Sequence, residues 1–141
     1  MWLLSLCACA SDLGRTLERI ERQVASAPDS AYTALCAIDK SRLSDKGDKA
    51  LYNLLMSEAM YKLYMEEDND SIITLVCQYY KTRPDKQRFM RALFMKAIIE
   101  YYGHEYPQSL ITAREAEAVA LSLYNYEYLS NIYDHISDLY N

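Results

Sequence analysis

The 141-residue sequence has few of the residues that turn or break a chain, with only three glycines and three prolines. A fold built on many tight turns needs more of both, because these residues supply the backbone conformations of such turns. β-Branched residues are also few, whereas Ala, Leu, Tyr, Glu and Lys are abundant, which favours helix. Since 51% of the residues are apolar, the chain can bury a core. The composition therefore predicts an all-α protein.

Residues that carry chemistry are scarce as well. His104 and His135 are the only histidines, and we expect both side chains to face solvent. The sequence has no cysteine pair with zinc spacing, no glycine-rich phosphate loop and no nucleophile elbow. We therefore predict no enzyme activity, no metal and no cofactor. Cys36 and Cys77 are interpreted as small core residues, and a disulfide between them is the alternative in an oxidising compartment.

Charge narrows the class of partner. The net charge is −5, from 20 acidic and 15 basic side chains, which argues against nucleic acid as a partner. The acidic stretch 66–70 lacks the glycine and the bidentate glutamate of a calcium loop, so we interpret it as a solvated turn. The basic cluster has two open interpretations: a solvated helix face, or an edge that binds an acidic partner. Its residues are Lys81, Arg83, Lys86, Arg88 and Arg91.

Residues 1–9 form an apolar, uncharged run that is far too short to span a bilayer. The segment Leu6-Cys7-Ala8-Cys9 resembles the end of a bacterial lipoprotein signal peptide, although no positive segment precedes it. The resemblance implies lipidation at Cys9 and membrane attachment through that lipid in the cell envelope. The alternative is an apolar first turn of the first helix, in a protein that stays in the cytoplasm. Residues 10–141 are then predicted to form a single helical domain.

Apolar stripes with a 3.6-residue period predict about seven helices. The best defined pair lies in residues 85–125, begins at an N-cap on Asp85 and turns at Gly103-His104. We expect Gly103 to take the left-handed conformation that ends a helix. Small residues on the second helix of this pair, including Ala113 and Ala116, allow its partner to approach closely. The other predicted helices span about 11–25, a short segment opened by a capping box at 26–29, 45–65 after a cap at Ser44, 71–82 after a cap at Asp70, and 127–141.

One pattern recurs in three of these helices, at intervals of about 40 residues. The copies are Tyr52-Leu55-Met56-Ala59, Phe94-Ala97-Ile98-Tyr101 and Tyr133-Ile136-Ser137-Tyr140. Helix pairs at a fixed period are typical of an α-solenoid, an α-α superhelix in which neighbouring pairs stack. The 94–121 pair resembles a degenerate tetratricopeptide repeat, because Ser109, Ala113 and Ala116 match the small packing positions of that family. The family's first-helix glycine and late proline are absent.

A closer resemblance is to tetratricopeptide lipoproteins of Bacteroidetes-type bacteria. It is carried by Pro28-Asp29-Ser30-Ala31-Tyr32, Leu43-Ser44-Asp45-Lys46, Ala50-Leu51-Tyr52 and the Tyr79-Tyr80 pair. The resemblance implies a protein–protein interaction scaffold on an exported lipoprotein, with a protein or peptide as the partner. The alternative function is the N-terminal sensory or interaction fragment of a larger membrane-anchored transcription regulator.

In that family, the first helices of successive pairs line a groove that holds a partner. The resemblance places four residues in this groove: Asn53, Ser57, Tyr61 and Tyr102. The alternative interpretation is that the tyrosines pack in the core or on its edge. In the last helix we expect Leu129, Ile132, Tyr133, Ile136 and Tyr140 to point inward, and Asn131, Asp134, His135 and Asp138 to point away from the core.

Overall fold

The computed structural model describes residues 11–141. This part of the chain contains seven α-helices, one 3-10 turn and no strand, so the predicted all-α class is confirmed. The helices are α1 (Asp12–Glu21), α2 (Pro28–Cys36), α3 (Lys46–Lys62), α4 (Ser71–Lys81), α5 (Lys86–Tyr102), α6 (Tyr106–Ser122) and α7 (Tyr126–Leu139), and the 3-10 turn is Lys40–Arg42. The predicted signal segment 1–9, with Cys9, lies outside the described residues.

The helices pack as stacked pairs. Each helix contacts the next one along the chain, and α1 contacts α3, α3 contacts α5, and α5 contacts α7. Helices α1, α3, α5 and α7 therefore follow one another along one side, with α2, α4 and α6 on the other. This arrangement is that of an α-α superhelix, as the repeat pattern predicts. The pair α5 and α6, which the sequence defines best, has the most extensive contact of all.

Helices α3, α5 and α6 end in the same kind of turn. In each turn the second residue after the helix has a positive φ: Tyr64 (58°), His104 (63°) and Tyr124 (53°). The amide of the following residue donates to the carbonyl five residues earlier, as from Met65 N to Met60 O at 2.9 Å. These are Schellman caps, which usually place glycine at the left-handed position. Here two tyrosines and a histidine occupy it.

The prediction that Gly103 takes the left-handed conformation is wrong, because its φ is −76° and His104 carries the positive φ instead. Glycine is needed at 103 for a different reason. A Cβ atom there would lie 2.9 Å from the backbone oxygen of Asp68, closer than a Cβ contact allows. The α5–α6 turn thus packs directly on the loop between α3 and α4. The predicted N-cap at Asp85 is confirmed, since its carboxylate accepts the Arg88 amide at 3.1 Å.

Several predicted helix starts are off by one residue. Asp45, not Ser44, caps α3 and accepts the Asp48 amide at 3.0 Å. The capping box at 26–29 is wrong, since Ala27 is the N-cap and Pro28 opens α2, where its missing amide hydrogen costs nothing. Asp70 is the N-cap of α4, as predicted, but its side chain makes no capping hydrogen bond, and Asn69 accepts the Ser71 amide instead. Helix α1 also ends at Glu21, four residues earlier than predicted, and continues as a turn.

The core has two apolar clusters that meet at α3, so this helix packs on both sides. One cluster joins α1 and α2 to α3 through Leu17, Leu35 and Leu55, all fully buried. The other joins α3 to α4–α7 and includes Leu54 and Met90. Tyr133 and Tyr140 were predicted to point inward but are exposed, because their side of α7 is turned away from the neighbouring helices.

The two cysteines of the described part are free thiols in different surroundings. Cys77 is buried, as predicted, and burial raises the pKa of its thiol to about 12. Cys36 is exposed at the end of α2, so the prediction that it is a core residue is wrong. A disulfide between them, the alternative interpretation, is not formed.

Candidate binding groove

Two adjoining clefts lie along α3, α5 and α7. The smaller, about 170 Å³, is lined by Tyr61, Ile98, Tyr101, Tyr102, Asn131, Asp134, His135 and Asp138. The larger, about 380 Å³, also reaches the end of α1 and is lined by Glu21, Val24, Ala25, Glu58, Tyr61, Lys62, Gln87, Arg91, Phe94, Met95, Glu127, Tyr128 and Asn131. Because Tyr61 and Asn131 line both clefts, we treat the two together as one groove.

A chain of edge-to-face aromatic rings fixes the wall of the groove. The Phe94 ring is buried and contacts Tyr61 at a centroid distance of 6.1 Å and Tyr128 at 5.4 Å. Tyr101 contacts Tyr102 at 5.8 Å in the same manner. Such pairs add about 0.5–1.5 kcal/mol beyond area burial, so the rings are held in place before any ligand arrives. The groove is therefore preformed on its α5 side.

The sequence-predicted groove residues occupy different positions around this groove. Tyr61 and Tyr102 are half-buried, and both line the smaller cleft. Ser57 is buried and lines, with these two tyrosines, a recess of about 10 Å³ that is at the size limit for one water molecule. Asn53 is half-buried on α3 and lines neither cleft of the groove. Two of the four residues thus come together at the groove itself.

His135 is buried, with 6% of its surface exposed, so the prediction that it faces solvent is wrong. Its Nε2 lies 2.9 Å from the Ser109 hydroxyl, which in turn donates to the Ala97 carbonyl at 2.7 Å. Burial lowers the pKa of His135, so the ring is neutral at pH 7. The contact joins α7 to α5 and α6 by polar atoms, at a position where the apolar stripe alone would not fix the helix. The other histidine, His104, is exposed as predicted.

An ion-pair network closes the α1 end of the groove. Arg88 binds Glu21 at 2.8 Å, and Arg91 binds both Glu21 at 2.8 Å and Glu58 at 2.5 Å. Burial opposes the charge on Glu21, but hydrogen bonds from the two arginines outweigh it and lower the pKa of that carboxyl. The network ties α1, α3 and α5 together. Its partners lie up to 70 residues apart along the chain.

The predicted basic edge is divided by the structure. Arg88 and Arg91 are partly buried and form ion pairs with carboxylates of this chain. Arg83 donates to the Tyr79 carbonyl and places its guanidinium 3.5 Å from the centre of the Tyr79 ring. Lys86 is exposed, with its amine 5.6 Å from the Phe89 ring. These four residues therefore do not form one continuous patch of unpaired positive charge.

Helix α7 contributes to the groove, which the sequence pattern did not predict. Asn131, Asp134 and Asp138 are exposed, as predicted, yet they line the smaller cleft opposite the tyrosines. The signal was present in their spacing, because positions 131, 134 and 138 share one face of a helix. What the spacing could not give is the direction of that face, which depends on how α7 packs on α5 and α6.

Neither a metal site nor a membrane span is found in the part of the chain that the structure describes. Within residues 11–141, no group of three or more His, Cys, Asp or Glu side chains is placed to hold a metal ion. Over the same residues, none of the helices combines the length and the apolarity that crossing a bilayer requires. No protein-family model, no curated protein and no solved structure matches the chain.

Proposed function

We propose that this chain is a protein–protein interaction scaffold that binds an extended segment of a partner protein in the groove along α3, α5 and α7. The observation that carries the proposal is the continuity of the two clefts through Tyr61 and Asn131. A single enclosed pocket would suit a small molecule, whereas an open channel of two linked clefts suits successive side chains of a peptide. The tetratricopeptide resemblance supports the same use of these helices.

The tyrosine wall supports this proposal energetically. Tyrosine offers apolar area together with a hydroxyl, and its two torsions cost little entropy to fix. Here the rings of Tyr61 and Tyr102 are already restrained by neighbouring rings, so binding loses little further freedom. We assign the chain no catalytic step, because the one imidazole at the groove is buried and bonded to Ser109.

We further propose that the scaffold is attached to the cell envelope through a lipid on Cys9, on the strength of the Leu6–Cys9 pattern. Mass spectrometry of protein extracted from membranes of the encoding organism tests this directly. A lipid mass on a mature chain that begins at Cys9 is expected. An unmodified chain that begins at Met1 contradicts the anchor and leaves the groove proposal unaffected.

Photo-crosslinking tests the scaffold function. Benzoylphenylalanine is placed at Tyr61 or Tyr102, inside the groove, and at Leu75 as the control, which is 65% exposed on α4 on the opposite side of the stack. In lysate of the encoding organism, both groove positions are expected to form an adduct with the same protein, identified by mass spectrometry. The partner is then purified and must bind the unmodified chain. Identical adducts at all three positions, or no adduct from the groove, contradict the proposal.

A further inference from the structure

The groove carries an excess of negative charge. Five carboxylates and two cationic side chains line its two clefts: Glu21, Glu58, Glu127, Asp134 and Asp138 against Lys62 and Arg91. Arg91 is fully engaged by Glu21 and Glu58. In the described part of the chain, Glu127, Asp134 and Asp138 take part in no salt bridge. The uncompensated charge is therefore concentrated on the α7 side.

The smaller cleft is the most acidic part of the groove. Asp134 and Asp138 lie one turn apart on α7, and no cationic side chain lines this cleft. Opposite them stand Tyr61 and Tyr102, so the carboxylates face aromatic rings. The pKa of Tyr61 is raised by burial first, and then by Tyr102 and by the charges of Asp138 and Asp134. The field of the two carboxylates thus reaches across the cleft.

His135 adds a hydrogen-bond acceptor to this cleft. Because the Ser109 hydroxyl donates to the Ala97 carbonyl, it accepts from His135, which assigns the proton of the neutral ring to Nε2. The Nδ1 lone pair is then an acceptor, and it has no hydrogen-bond partner among residues 11–141. The side chain is more than nine-tenths buried and lines the cleft. A donor on a ligand in the cleft can therefore bond to it.

We propose that the smaller cleft binds a lysine or arginine side chain from a basic, extended segment of the partner protein. This inference rests on the proposed function of the groove and names the chemistry of what it binds. Asp134 and Asp138 pair with the cation, the rings of Tyr61 and Tyr102 offer cation–π contacts, and His135 accepts a hydrogen bond. The cleft suits one such side chain, since its volume of about 170 Å³ lies below the ~300 Å³ of small-molecule sites.

The larger cleft favours a segment of a partner protein over a free amine as the ligand. It continues from the smaller one past Tyr61 and Asn131 and adds about 380 Å³ of space. Its exposed Glu127 extends the negative charge about two turns beyond Asp134 along α7. Tyr128 and Met95 supply apolar area beside it. A peptide that alternates cationic and small residues can thus place its charges at both clefts.

Fluorescence anisotropy with the purified chain and a fluorescein-labelled peptide tests the proposal. The probe is a peptide of alternating lysine and alanine, with a glutamate–alanine peptide as its counterpart, at near-physiological salt of ~0.15 M. We expect binding of the lysine peptide only. The double variant Asp134→Asn/Asp138→Asn should weaken it about tenfold. The matched double variant Asp29→Asn/Glu18→Gln removes the same charge from exposed sites outside the groove, and should change it less than twofold.

Each result has a distinct meaning. Equal weakening by both double variants shows a general charge effect and overturns the site. Spermine that competes as tightly as the peptide overturns the assignment to a protein segment. If groove crosslinking succeeds but its partner binds equally well to Asp134→Asn/Asp138→Asn, the scaffold function stands and the cationic specificity falls. Circular dichroism of every variant checks that the fold is retained. The variant Tyr102→Leu keeps both carboxylates and should weaken binding of the lysine peptide about threefold, because the aromatic ring is lost.

Discussion

Tyr64 offers a sharp test of the backbone geometry. It follows α3 with a φ of 58°, and 95% of its surface is exposed. We compare Tyr64→Gly with Tyr64→Ala, because both remove the same ring and differ only in the Cβ atom. A left-handed conformation costs an L-residue ~1–2 kcal/mol. Glycine loses ~0.5–1 kcal/mol more entropy on folding than alanine. The glycine variant should therefore be the more stable of the two by about 1 kcal/mol.

Leu75 is the matched control. It is 65% exposed in the interior of α4, where the backbone is right-handed. At such a position glycine is less favourable than alanine by ~1 kcal/mol. The order of the two variants should thus reverse between positions 64 and 75. This reversal separates the effect of the positive φ from any general effect of glycine on the chain.

Urea denaturation followed by far-ultraviolet circular dichroism measures the four free energies of unfolding. For a domain of this size, 1 kcal/mol corresponds to a shift in Tm of roughly 3–4 °C, so thermal melts give an independent check. If Tyr64→Ala is at least as stable as Tyr64→Gly while the Leu75 pair behaves as expected, the left-handed cap at the end of α3 is refuted.

Three further predictions concern stability. Arg91→Met should destabilise the fold by about 3 kcal/mol in urea denaturation, because it leaves the buried Glu58 carboxylate without its cationic partner. The double variant Arg91→Met/Glu58→Met should regain much of this loss. The free energy of unfolding should fall as the pH drops below 6.5, because burial lowers the pKa of His135 and the unfolded chain then binds a proton that the folded chain does not. This part of the pH dependence should be absent in His135→Gln. Equal slopes of unfolding free energy against pH in the two proteins would contradict the prediction. Gly103→Ala should lower the free energy of unfolding by about 1–2 kcal/mol in thermal or urea melts, because its Cβ would overlap the Asp68 carbonyl oxygen. An unchanged free energy of unfolding would show that the loop between α3 and α4 shifts to accommodate the Cβ.

The periodic part of the fold could be predicted from the sequence, because helix spacing is a local property. Leu13, Leu17 and Ile20 share one helical face and are buried, and so are Ile73 and Val76 in α4. The errors follow from the same cause. A stripe gives the spacing of a buried face but only roughly its direction. Residues at its margin can therefore face either way.

The polar contacts could not be predicted, because they join residues far apart in sequence. Ser109 and His135 are 26 positions apart, and nothing in either local pattern points to the other. The pairing of Arg91 with Glu21 spans 70 positions. Polar residues at such sites were interpreted as solvent-facing, which is the usual outcome. For the groove, Tyr61 and Tyr102 came from the family resemblance, while the part played by Asp134 and Asp138 required the packing of α7.

The ion pairs of Glu21 bear on how the molecule unfolds. In a stack of helix pairs, each unit usually contacts only its neighbours, so an end unit can detach without disturbing the remainder. Here α1 is joined by Glu21 to α5, beyond the unit that follows it. Detachment of α1 would leave Arg88 and Arg91 without their shared carboxylate and open one end of the larger cleft. Fraying at this terminus is thereby coupled to the groove, and amide exchange in α1 should slow when a ligand occupies it.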